Sequence, residues 1–129
     1  MLRQNISSGS PYEERIGFSR AVRIGNMIAV SGTAPIDSKG ETMHPGDLYN
    51  QTKYCLGIIE KAVKEAGGRM VDVIRTRVLL TDISRWREAG KAHAEYFADI
   101  KPAISIYGVN KLIGDDWLVE VEAYCYVKE

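Results

Sequence analysis

The side chains best suited to chemistry lie near the end of the sequence, in LVEVEAYCYV at residues 118–127. Strand alternation puts Glu120, Glu122, Tyr124 and Tyr126 on one face and Val119, Val121, Ala123, Cys125 and Val127 on the other. A carboxylate on a partly desolvated face has a raised pKa and can act as acid or base, so Glu120 is the leading candidate. The competing reading is a structural ion pair. In VIRTRVLLT, alternation gathers Arg75, Arg77, Leu79 and Thr81 on one face, where either arginine could pair with Glu120 or Glu122.

The other candidates are weaker. Ser31 and Gly32, in VSG, stand at a strand end where a backbone can approach a ligand closely. Their context is neither a GxSxG elbow nor a phosphate-binding loop. His93 falls on an apolar helical stripe with no acidic or nucleophilic partner at helical spacing, and reads as a packed core histidine rather than a catalytic base. His44 and Glu41 offer too few ligands for a metal site. Cys55 and Cys125 lack CxxC spacing and sit among apolar residues, so buried free thiols are expected rather than a disulfide or a metal pair. No metal or cofactor is called for.

These residues need elements to hold them. Residues 1–16 are polar, with Ser, Gly and Pro, and read as an irregular arm. FSRAVRI and MIAVSG read as strands of a hairpin, joined by Gly25-Asn26. A helix follows, with Leu48, Thr52, Cys55, Ile59, Val63 and Ala66 on its apolar stripe and Gly67-Gly68 as its stop. After the strand VIRTRVLLT, Asp82-Ile83-Ser84 supplies N-cap candidates for a second helix. Its inward stripe would be Trp86, Ala89, Gly90, His93, Tyr96 and Phe97, and Lys101-Pro102 would end it. AISIYGV and the opening stretch complete the order β-β-α-β-α-β-β, with hairpins expected at both ends. This is an α+β sheet in one domain spanning residues 1–129, with both helices on one face.

Two helices cover only one face of such a sheet. The other mixes paired charges with tyrosines, Leu79, Leu118 and Met27, which suits a subunit interface better than a solvated face held by surface salt bridges worth at most ~1 kcal/mol each. The seventeen basic residues equal the seventeen acidic ones, so nucleic acid is disfavoured as a partner. No run approaches the ~18 apolar residues of a membrane helix, and the N-terminus has no continuous apolar h-region. The expectation is a cytoplasmic protein that does not enter the membrane.

GNMIAVSG, the helix ending EAGG, DVIRTRVLLTDI, YFADIKPA and VEVEAYCYV together resemble the RidA family of reactive intermediate deaminases, in order and spacing from about residue 16 onward. The resemblance implies a chorismate-mutase-like fold: a mixed sheet of about six strands with two helices on one face, assembled as a homotrimer with a central barrel. It also implies small-molecule clefts between subunits. In active relatives an arginine in a PARS motif grips the carboxylate of an imine or enamine acid, and a glutamate in the last strand helps position the attacking water.

Carried over, the serine-glycine pair falls on Ser31 and Gly32 and the glutamate on Glu120. PARS is PAIS here, so Ile104 stands at the arginine's position. Phe18 replaces a cleft tyrosine, Gly90 aligns near an asparagine, and Ile106 replaces a cysteine. An isoleucine makes no bidentate carboxylate contact, so little deaminase activity on ordinary 2-imino acids and a neutral or cationic ligand are expected, unless Arg20 or Lys101 takes the arginine's role. The functional expectation is a small-molecule hydrolase or deaminase acting on a non-standard imine, with Glu120 as base. The alternative is a noncatalytic ligand-binding or protein-stabilising trimer. A ribonuclease or translation inhibitor is the third reading, which the balanced charge disfavours.

Overall fold

A computed structural model describes residues 2–128. A six-stranded sheet runs in the order β1-β2-β3-β6-β4-β5. Its strands are β1 (Arg3–Ile6), β2 (Ala21–Ile24), β3 (Met27–Thr33), β4 (Val73–Leu80), β5 (Ala103–Gly108) and β6 (Val119–Tyr126). Only β4 and β5 are parallel. Helices α2 (Leu48–Glu65) and α3 (Trp86–Phe97) pack on one face, as expected.

The long helix forms where its period places it. Asp47 caps it by accepting from the Asn50 N–H at 3.0 Å, and Gly67 ends it at φ +89°. The whole predicted stripe from Leu48 to Ala66 is buried. In α3, His93 is buried and bonds Thr76 Oγ1 at 2.8 Å while its ring lies 4.6 Å from that of Phe97. Burial lowers its pKa, which keeps the imidazole neutral in the core. Cys55 and Cys125 are free and buried, and burial raises both thiol pKa values, that of Cys125 to about 12.

Four expectations need correction. Residues 1–16 are not an irregular arm: β1 pairs antiparallel with β2, and α1 (Pro11–Ile16) follows. The signals for α1 were present, with Ser10 as N-cap, Pro11 in the first turn, Glu13 and Glu14 near the helix's positive end, and Gly17 closing it at φ +89°. The final hairpin does not form. β6 instead lies between β3 and β4, a central position in which both backbone edges are paired and Val119, Val121, Ala123 and Cys125 are all at most 1% exposed beneath the helices. The first hairpin's leading strand is shorter than FSRAVRI, so Phe18, Ser19 and Arg20 precede it. Trp86 is not on the inward stripe. It opens α3 at 44% exposure with the Arg87 guanidinium 4.5 Å from its ring, and Ala92 takes a buried position instead.

The helix-free face carries Met27, Tyr107, Tyr124 and Tyr126, each at least 40% exposed in the single chain. Arg77 pairs with Glu122 directly across the β4–β6 register, as alternation predicts. Arg75 instead donates to Ser105 Oγ at 2.8 Å, and Glu120 pairs with neither arginine.

Candidate functional site

A cavity of about 880 Å3 lies between the N-terminal segment, the β2–β3 end of the sheet, α2 and the loop of residues 109–118. Phe18, Ser31, Gly32 and Glu120, four of the residues named from sequence, all line it. Gly90, Ile104 and Ile106 do not. Ile104 and Ile106 sit on the edge strand β5 opposite Thr76 and Val78, and Gly90 is on α3, with β6 and β4 intervening in the sheet. One chain therefore assembles four of the seven.

The sheet is irregular where Glu120 sits. The β3–β6 register shifts between Val30 and Thr33, so the extra residue of a bulge falls on Ser31 and Gly32. Ser31 Oγ donates to Ser19 O at 2.6 Å, which holds the bulge against the approach to β2. A Cβ at Gly32 would come 3.2 Å from Glu120 Oε1, so a larger residue there would press the carboxylate aside by a few tenths of an ångström. With no side chain in the way, the carboxylate reaches the cavity.

Glu120 is half-buried and accepts no hydrogen bond from any described residue. Burial raises its pKa above the ordinary carboxylate value, the Arg20 charge pulls the other way, and Glu122 adds a smaller upward push. A carboxylate in this state is a base without a prior commitment.

Sequence alone offers Arg20 only as a substitute cation away from the motif position. In the structure it is 4% exposed and lines the same cavity. Its Nε donates to Ser8 Oγ at 3.1 Å, and its Nη1 donates to Gly32 O at 2.6 Å and Thr33 Oγ1 at 3.2 Å. Of the two substitute cations, Arg20 is therefore the one that shares the cavity with Glu120. The sequence signal was the arginine's position, one residue before β2 and opposite the bulged end of β3. Lys101, the other substitute cation, lies beyond α3 with φ +54° and does not line the cavity.

Sequence reasoning also missed the cavity's apolar end. Ala34, Ile36 and Trp117 form a small buried cluster, and the Tyr12 ring meets Trp117 edge-on with centroids 5.6 Å apart. Gln51, fully buried on α2, holds the loop beneath it by donating to Asp116 O and accepting from Leu118 N at 2.8 Å. The Gly114 backbone lies so close to Trp117 that a Cβ would come 2.1 Å from the indole.

The profile of the Endoribonuclease L-PSP family matches residues 11–127. The chain belongs to the L-PSP/RidA family. A solved Mycobacterium tuberculosis member of the YjgF/YER057c/UK114 family is similar at 45% identity and TM-score 0.88, covering 98% of this chain and 100% of that one. An uncharacterized protein of Streptomyces coelicolor is 38% identical over 124 residues, 95% of this chain and 91% of its own. The 3-aminoacrylate deaminase RutC of Acinetobacter baylyi is 31% identical over 107 residues, 83% of this chain and 84% of its own. The six-stranded sheet with α2 and α3 on one face is the fold shared with the solved Mycobacterium tuberculosis family member.

Proposed function

We propose that this L-PSP/RidA-family protein hydrolyses a small imine or related compound in the cavity, with Glu120 as the base that activates water. The observation that carries this reading is a half-buried carboxylate with no hydrogen-bond partner among the described residues, set against Gly32 in a cavity of about 880 Å3. Family membership and the similarity to a RutC deaminase support a small-molecule, deaminase-like role at the coarse level. A water oxygen bonds to the C=N carbon as its proton passes to Glu120. The nitrogen then takes up protons and leaves as ammonia, and a carbonyl remains. Glu120 holds the proton for return to the leaving nitrogen.

The test is ammonia release from imines and enamines generated in the assay by an amino-acid oxidase or lyase. Release faster than the spontaneous rate is expected. Binding without any acceleration across such a panel would leave the noncatalytic trimer as the better reading.

The active form in this proposal is a homotrimer. The exposed tyrosines and Met27 on the helix-free face support it, as does the split between the Glu120 group and the Ile104, Ile106 and Gly90 group. A neighbouring subunit bringing its β5 edge to the cavity would unite the two. Sedimentation in moderate salt should give a particle of about three times the 14.4 kDa chain. A monomer at micromolar concentration would remove both the interface and the shared cleft.

A further inference from the structure

We infer that Arg20, not position 104, is the specificity-determining residue that holds the acidic group of the ligand. The inference uses the proposed function only in taking the cavity as the ligand site.

A guanidinium carries five N–H donors. Ser8 Oγ, Gly32 O and Thr33 Oγ1 take three of them, through Nε and Nη1. Nη2 makes no hydrogen bond to any described residue. Its nearest acidic atom is Glu13 Oε2, 3.8 Å away, and that oxygen already accepts from the Ser8 N–H at 3.1 Å and from Ser8 Oγ at 2.6 Å. No sealed side-chain nitrogen or oxygen among the described residues lacks a partner, so Nη2 keeps an opening. Arg20 itself lines the cavity.

The group is also preorganised. The Phe18 ring lies 5.3 Å from Arg20 Cζ, and the three bonds fix the plane of the guanidinium before any ligand arrives. An oriented, buried N–H pair on a permanent cation, with no hydrogen bond of its own and only a 3.8 Å ion pair to Glu13, can anchor a carboxylate. Glu120 lines the same cavity, so base and anchor face one ligand space. Glu13 and Glu120 flank the cation with two carboxylates, which selects a singly charged acid over a phosphate dianion.

The probes are 2-oxobutanoate and its neutral amide, titrated by ligand-observed NMR into the intact protein. The unmodified protein should prefer the acid by about tenfold or more, as expected for a charge-assisted contact. Arg20→Gln should erase that preference, and equal affinity for acid and amide before substitution, or a preference that survives it, overturns the inference. Because Arg20 also ties Ser8 to the β3 bulge, its variant could fail to fold, and Glu13→Gln supplies the independent arm. The neutral amide introduced there can still accept from Ser8 but no longer competes for the guanidinium, so acid binding should tighten by about threefold. Unchanged or weaker acid binding in that variant overturns the inference as well, since a purely structural arginine predicts no gain. Ammonia release is read separately: acid preference without turnover keeps Arg20 as the anchor and removes only the hydrolase reading.

Discussion

Glu120→Gln is expected to lower ammonia-releasing turnover by about 10²–10⁴-fold, the usual contribution of a positioned general base. Glutamine keeps the shape that packs against Gly32, where the carboxylate oxygen now sits 3.2 Å from a would-be Cβ. It cannot take a proton from water. The fold should survive, and the melting temperature should hold or rise, because a half-buried charge without a hydrogen-bond donor is replaced by a neutral amide. The pH profile supplies a second readout. Burial is the largest influence on Glu120 and raises its pKa above 4.5. The base form therefore accumulates only as pH rises through that elevated value, and kcat/KM should climb along an acid limb displaced upward from an ordinary carboxylate. Wild-type turnover in the glutamine variant, or an acid limb at or below pH 4.5, would take Glu120 out of the mechanism.

Phe97→Ala is expected to cost about 3–5 kcal/mol of folding stability, whereas Trp86→Ala should cost less than about 1 kcal/mol. Both aromatics belong to α3, and sequence periodicity assigns both to the inward stripe. Phe97 is 2% exposed, belongs to the main core and supports the His93 ring, so its removal leaves a cavity that neighbours cannot fill. Trp86 is 44% exposed, with the Arg87 guanidinium lying over its ring. Urea denaturation of the two variants measures the contrast. Comparable losses would mean that Trp86 is buried in the assembled protein, and the α3 N-terminus would then be an interface.

Glu120 shows where local pattern and tertiary placement part company. Alternation alone put its Cα on the helix-free face with Glu122, and it put Arg77 there too, where the Arg77–Glu122 pair formed. The same pattern could not tell which carboxylate would take an arginine. Each pairing follows from the β4–β6 register, which matches Arg77 with Glu122 and Glu120 with Leu79. A two-residue slip would have matched Arg77 with Glu120, and a one-residue slip would have turned one strand's pattern to the opposite face. Resemblance to a family carried Glu120, Ser31 and Gly32 to one site, and the cavity holds them together with Phe18.

By itself the sequence determined what is written in short periods. The buried stripe of α2, its Gly67 stop, the Gly25-Asn26 hairpin, the core position of His93 and the uncovered polar face were all readable from neighbours within a few residues. Burial and hydrogen bonding within one helix or one hairpin repay ordering locally, so these features are encoded locally. Only the tertiary structure decided the rest. It placed β6 between β3 and β4, paired β1 with β2, turned Trp86 outward, and brought Arg20 to the wall that Glu120 shares although a hundred residues separate them. Those outcomes depend on which distant strands pair and in what register. That choice is set by the summed burial of the whole sheet against its helices, a quantity no short stretch of sequence contains.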